Sequence, residues 1–347
     1  MVMKCKLDVD FLDGKLHNPL PQVMRRPGKQ KCLRIVLITL FLLMMACVQV
    51  QAAGTATGEL HKIELVAEKL GGGYFAYRMK QHLVSGMDGS NEQNITSRYP
   101  DFATIPGPTI VINEGDEVDL TLIHQFNPDA PGEDQVSVHV HGVHYDILSD
   151  GTLKYINMVK DESAVPALVY EYKWHAAAGT AGTWPYHDHN MINHNGAEDK
   201  GLYGALIVNK KSGSVDINLQ GQRKAAPLSS IQKDYVLYML DDTFAGTEID
   251  SITGQQTYLG ANPAFTAQQG TNVRFHVIAL GTNLHTFKLA GYGWIDPGTN
   301  AIIGEKAMGP LEKHVFTVRA GISSVYKDTA FSSNLLGMKG NFNVHPQ

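Results

Sequence analysis

The chain has 347 residues, with 29 Lys+Arg against 34 Asp+Glu and 15 histidines, a length that suits about two ordinary domains. Its three cysteines, Cys5, Cys32 and Cys47, all precede residue 54. Residues 54–347 therefore offer neither a disulfide nor a thiolate metal ligand.

Residues 1–53 read as a leader. Lys29, Lys31 and Arg34 precede an apolar run from Ile35 to Val48, and Val50-Gln51-Ala52 resembles a small-residue cleavage site. Met24 suits the true start, because the stretch before it is long for a signal peptide. The run is short for a membrane span, so an uncleaved anchor is the alternative. A lipid on Cys47 fits less well, because bulky Met44 stands three residues before it. The leader carries eight Lys+Arg and three Asp+Glu, which leaves 21 basic and 31 acidic residues and a net charge near −10 for residues 54–347. A chain so acidic is a poor nucleic-acid binder. Its expected place is periplasmic or secreted, with a membrane contact only through an uncleaved leader.

Beyond the leader, short alternating or β-branched runs recur in order: 109–123, 135–146, 168–174, 202–208, 234–240, 272–280 and 314–321. Turn residues separate them, and no sustained helical period intervenes. The pattern predicts an all-β chain of antiparallel sandwiches. Residues 211–228 are polar and contain Gly, Ser and Pro, and read as a linker between a first domain over 54–210 and a second over 229–347.

The two halves repeat one another. EGDEVDLTLI (114–123) matches QGTNVRFHVI (269–278), and VSVHVHG (136–142) matches HTFKLAG (285–291). YHDH (186–189) matches YKDT (326–329), and GLYGALIV (201–208) matches GMKGNFNV (337–344). The order is kept, as a duplication requires. Where the first copy has His139, His141, His187 and His189, the second has Lys288, Ala290, Lys327 and Thr329.

In VSVHVHG, strand alternation sends Val136, Val138 and Val140 to one face and Ser137, His139 and His141 to the other. HDH repeats the arrangement with His187 and His189. Four neutral imidazoles suit copper, zinc, nickel or iron(II). The plainer alternative is four histidines bonded to backbone.

Four stretches, IPGPTIVINEGDEVDLTLI (105–123), HVHGVHYDILSDGT (139–152), GTWPYHDH (182–189) and GLYGALIV, resemble the two-domain multicopper oxidases, the small laccases. The resemblance covers nearly all of residues 59–345. It implies two cupredoxin-like Greek-key β-sandwich domains, a homotrimer, a trinuclear copper cluster between chains, and a blue type 1 copper in the second domain. It makes His139 a type 2 copper ligand and His141, His187 and His189 type 3 ligands. His194 has a family counterpart that is not a ligand. His144 stands where small laccases carry an acidic residue, as an extra donor or a hydrogen-bonded loop residue.

The second half departs from that pattern. The family's His-Cys-His, later His and Gly-Met align with residues 327–338. The type 1 cysteine becomes Asp328 and its histidine partner Ser333, the cluster histidines become Lys327 and Thr329, and those upstream become Lys288 and Ala290. Only His285 and Met338 survive from the type 1 set. Blue copper needs a thiolate, so family laccase turnover is not expected. The four remaining imidazoles suit about one copper per chain rather than the family's four. Lys288 and Lys327 either pair with carboxylates such as Asp188 and Asp328 across an interface or are solvated surface lysines. The competing functions are a reduced-site copper protein, a partner subunit completing the cluster of an intact paralogue in a heterotrimer, a mononuclear copper or zinc enzyme using a pocket beside His144 and Asp146, and a metal-free structural trimer.

Overall fold

The computed structural model describes residues 58–127, 133, 135–152, 156–157, 169–190, 200–210 and 213–347. The leader lies outside them, as does His194. Among the described residues no helix is long and apolar enough to cross a membrane.

The chain is built of short strands. The first repeat contains β1 (Glu59–Lys69), β2 (Phe75–Gly86), β3 (Gln93–Asn94), β4 (Thr109–Asn113), β5 (Glu117–Gln125), β6 (Gln135–Val136), β7 (His139–Val140), β8 (Ile156–Asn157), β9 (Val169–His175), β10 (Gly182–His187) and β11 (Tyr203–Asn209). Next come β12 (Ser214–Leu219), β13 (Gln222–Pro227), β14 (Ile231–Met239), β15 (Phe244–Asp250), β16 (Gln256–Ala261), β17 (Phe265–Gln268) and β18 (Asn272–Ala279). The remainder is β19 (His285–Leu289), β20 (Trp294–Ile295), β21 (Ile302–Ile303), β22 (Glu305–Met308), β23 (Lys313–Arg319), β24 (Ser324–Asp328), the short helix α1 (Phe331–Leu335) and β25 (Lys339–His345).

Each repeat is a sandwich of two sheets with the same wiring. The first has sheets β3-β2-β1-β5-β9 and β4-β11-β10-β7; the second has β13-β12-β23-β18-β14-β15-β16 and β17-β25-β24-β19-β22. The parallel pair β1·β5 corresponds to β14·β18, and β4·β11 to β17·β25. One core lies between the sheets of the first repeat, with Leu65, Leu120, Ile110 and Leu206 at its centre. A second core, around Phe275, Phe316 and Tyr326, fills the other repeat. A third cluster joins β11 to β14 and β15 through Tyr203, Ile207, Val236, Tyr238 and Ile249.

Residues 211–228, read as a linker, contain the β12–β13 hairpin, joined to β23 at Ile217↔Thr317. Most of β13 is exposed. An edge hairpin with one wet face has little need of apolar alternation, which is why its sequence looks like a linker.

The expected strand 135–146 is broken into β6 and β7 and then bends. Gly142 has φ +74°, and a Cβ there would lie 1.9 Å from the Trp184 ring. Only glycine accommodates both the backbone twist and the indole.

Candidate metal centre

β7 and β10 are adjacent antiparallel strands, and His139 and His187 are direct cross-strand partners. Val136, Val138 and Val140 are wholly buried, while His139 and His141 are half-buried on the opposite phase. Burying each valine is worth about 1.5–3 kcal/mol, so the apolar face sets the register and the imidazoles follow. The backbone amide of His141 donates to the Pro185 carbonyl at 3.1 Å, fixing the bend beside β10.

Asp188 ties the loops together. Its buried carboxylate accepts from the Ser137 amide at 2.8 Å and from the Asn190 amide at 3.1 Å. Ser137 Oγ in turn accepts from the His189 amide at 3.0 Å.

Donor atoms of His139, His141 and His187 all lie within 4.8 Å of one another. His139 Nδ1–H donates to the Asp150 carbonyl at 2.6 Å, and His187 Nδ1–H donates to the Asp188 carbonyl at 2.8 Å. These bonds leave Nε2 as the free ligand atom on both rings. His141 Nε2 stands 3.1 Å from His187 Nε2. Two ligands about 2.0–2.1 Å from one ion are separated by about that distance. Burial, then the neighbouring His187, His139 and Lys313, lowers the His141 pKa to about 3. Burial lowers that of His187 to about 4, against the bond to the Asp188 carbonyl. Both rings are neutral at neutral pH, which is the ligating form.

His189 flanks the three, with its ring centroid 5.4 Å from that of His139 and 5.8 Å from that of His187. It is not among the three mutually close donors. His144 is exposed, and its backbone bridges to His175. Asp146 caps the turn 147–149, accepting from the Leu148 and Ser149 amides at 3.0 and 3.1 Å. Neither belongs to the metal-capable groups among the described residues. Asp146 directly precedes this turn, where its short side chain reaches the two amides.

The second repeat keeps the frame and changes the side chains. Lys288 and Lys327 are cross-strand partners as His139 and His187 are, and the Ala290 amide donates to the Val325 carbonyl at 3.0 Å. Lys288 pairs with Glu305 at 3.3 Å across half-exposed surface. Asp188 and Asp328, expected as carboxylates for these lysines, are wholly buried and engaged with amides. The Thr329 amide donates to the Thr286 carbonyl at 2.9 Å.

His285, Asp328, Ser333 and Met338 are all buried. His285 Nδ1 lies 2.7 Å from Asp328 Oδ2. Asp328 Oδ1 accepts from the Thr286 and Ala330 amides at 2.8 and 2.9 Å. Burial opposes the Asp328 charge, but the bonds from His285, Ala330, Thr286 and Ser333 outweigh it and hold its pKa low.

Sequence reading missed several polar groups. Asp116, His61, His82 and Tyr99 form a buried hydrogen-bonded chain. Its signal was His61 on the inward phase of β1, in step with Ile63 and Leu65. Between the repeats, His276 contacts Thr183 and lies 2.9 Å from Asp234, which also binds Arg274. Lys313 covers the Trp184 ring, 3.7 Å from its centroid.

Residues 103–213 match the family model described as multicopper oxidase. The chain is 27% identical over 234 residues to a probable nitrite reductase-hydroxylamine oxidoreductase fusion protein of Kuenenia stuttgartiensis, covering 64% of this chain and 24% of that one. It is 30% identical over 212 residues to Laccase-7 of Oryza sativa subsp. japonica, covering 55% and 34% respectively. The chain thus spans about a quarter to a third of these curated relatives. Its fold is like that of copper nitrite reductase from Nitrosomonas europaea, with TM-score 0.53, 14% identity and coverage of 82% and 94%. A multi-copper oxidase from Pseudomonas thermotolerans aligns with TM-score 0.51, 15% identity and coverage of 83% and 64%. The fold is therefore all-β and cupredoxin-like, and the chain is similar to multicopper oxidases over residues 103–213.

Proposed function

We propose that this is an exported copper-binding protein with one small histidine site and no type 1 copper. The observation that supports it most is the 3.1 Å approach of His141 Nε2 to His187 Nε2, with His139 beside them. The donors fit copper: three neutral imidazoles, two with Nδ1 already committed to carbonyls. His139, His141 and His187 hold the ion on this reading, and His189 adjoins it. A bound copper supplies one-electron redox capacity. The chain's own part is to hold the rings neutral, orient them through Asp150 and Asp188, and shield them with the valine core behind.

The second repeat does not fit blue copper. Asp328 stands where the resemblance puts the thiolate, and its oxygens are filled by His285 and two amides. Without that centre, laccase turnover is absent on this reading. We read residues 54–210 and 229–347 as two cupredoxin domains in a homotrimer. The half-exposed His139 and His141 favour one second reading, in which another chain, an intact paralogue, completes the site in a heterotrimer.

The test is metal content per chain with an EPR spectrum, on protein matured with copper in an oxidising compartment. About one copper, with a type 2 signal and no blue absorbance, is expected. Copper-free protein that purifies as a strict homo-oligomer would overturn both readings.

A further inference from the structure

A second set of metal-capable donors lies far along the sequence from the first. Glu59 and His61 come from β1, and Asp116 from the turn before β5; their donor atoms lie within 4.8 Å of one another. Asp116 and His61 are almost wholly buried, and Glu59 is exposed. Glu59 and His61 line a cavity of about 1030 Å³ between β1–β2 and β14–β15, which gives an ion a way in.

The hydrogen-bonded chain behind His61 orients it. His61 Nδ1 is 2.9 Å from His82 Nε2, and His82 Nδ1 is 2.8 Å from the Tyr99 hydroxyl. A ligating histidine characteristically commits its other nitrogen in this way. The last link differs from the rest. His61 Nε2 to Asp116 Oδ2 is 3.3 Å, longer than the usual N–H···O distance of about 2.9–3.0 Å. A nitrogen and an oxygen sharing one tetrahedral zinc are about 3.3 Å apart. If Tyr99 accepts from His82 and His82 accepts from His61, then His61 Nε2 presents a lone pair to the carboxylate, and a cation between them resolves the repulsion. The reverse proton order, with the same number of protons, fills the chain without an ion, so metal binding requires a change of tautomer at both histidines and no net proton release.

We propose that Glu59, His61 and Asp116 bind a divalent first-row cation of zinc-like preference, with His82 as the positioning residue. Asp116 accepts from the Glu59 amide at 2.9 Å through Oδ1 and from the Asn113 amide at 2.7 Å through Oδ2, and its carboxylate keeps lone pairs beyond these, so one imidazole and two carboxylates, with one position left to solvent from the cavity, suit zinc coordination.

The experiment uses the full chain carrying His139→Ala, His141→Ala and His187→Ala, so that the site on β7 and β10 is silent. Zinc alone is the probe, with equilibrium dialysis and metal analysis at neutral pH. About one zinc per chain is expected. Adding His61→Gln should abolish its retention, and His82→Phe should weaken it about 10- to 100-fold. Glu59 is exposed, so Glu59→Gln should leave the metal-free melting temperature unchanged while weakening zinc at least tenfold. Failure of the triple variant to retain zinc overturns the proposal. If His61→Gln does not fold, Glu59→Gln decides, and an unchanged zinc affinity overturns the proposal.

Discussion

Asp328 holds in the second repeat the place that Asp188 holds in the first. Each buried carboxylate accepts the amide of an equivalent residue at 2.8 Å, Thr286 for Asp328 and Ser137 for Asp188. Both repeats therefore carry a backbone-tying aspartate at this position. In the second copy it lies where the resemblance to small laccases puts the copper-binding cysteine.

This equivalence predicts what would rebuild a blue site. His285 and Met338 are already buried beside Asp328 and Ser333. Asp328→Cys with Ser333→His should give copper-loaded protein an intense blue absorbance and a narrow-hyperfine EPR signal. Colourless protein with normal copper uptake would show that the second repeat has lost more than these two ligands. Asp328→Ala alone leaves His285 and two amides without their acceptor and should cost about 3–5 kcal/mol, read from denaturant midpoints.

At the first site, His141→Ala with His187→Ala removes both atoms of the 3.1 Å pair. Bound copper should fall to background while the melting temperature of the metal-free protein changes little. Full copper retention in that variant would refute the assignment of these ligands.

Gly142→Ala places a methyl 1.9 Å from the Trp184 ring at a residue with φ +74°. The Trp184 indole is anchored by its Nε1–H to the Thr180 carbonyl at 2.8 Å, so it cannot easily retreat. We expect a loss of about 2–4 kcal/mol and weaker metal binding, because the bend that presents His141 shifts. Unchanged thermal unfolding and unchanged copper affinity would contradict this.

Acid should weaken the fold earlier than carboxylates alone would. Burial lowers His82 to about 3 and His314 to about 4, and both are buried. The unfolded chain takes up these protons near pH 6.5 and the folded chain does not. Stability is thus complete above about pH 6.5 and erodes by about 1.4 kcal/mol per pH unit for each ring as pH falls toward the folded pKa. Asp234 and Asp328, whose pKa values are depressed, add to the loss only below about pH 4. Urea midpoints at neutral and mildly acidic pH measure the slope, and His82→Phe should flatten it if the variant folds.

Much of this was written in local pattern. The alternation in VSVHVHG determined which side chains go to the core, and the internal repeat determined that Lys288 and Lys327 would mirror His139 and His187. Periodicity of two is a local property, so residues on one strand are legible without the fold. The hairpin at 214–227 was not, because an exposed edge does not require an apolar phase.

The sequence by itself determined the all-β class, the absence of cysteine after residue 54 and the two HxH pairs. Only tertiary structure decided which donors converge. It brought His139, His141 and His187 together, left His189 flanking, turned Asp146 into a cap, and filled Asp328 with His285 and two amides. It also joined His61 to Asp116 across 55 residues. The reason is physical: strand alternation fixes the face of a side chain, whereas its distance to another strand's side chain depends on register, bends and buried hydrogen bonds made by residues far away in the chain.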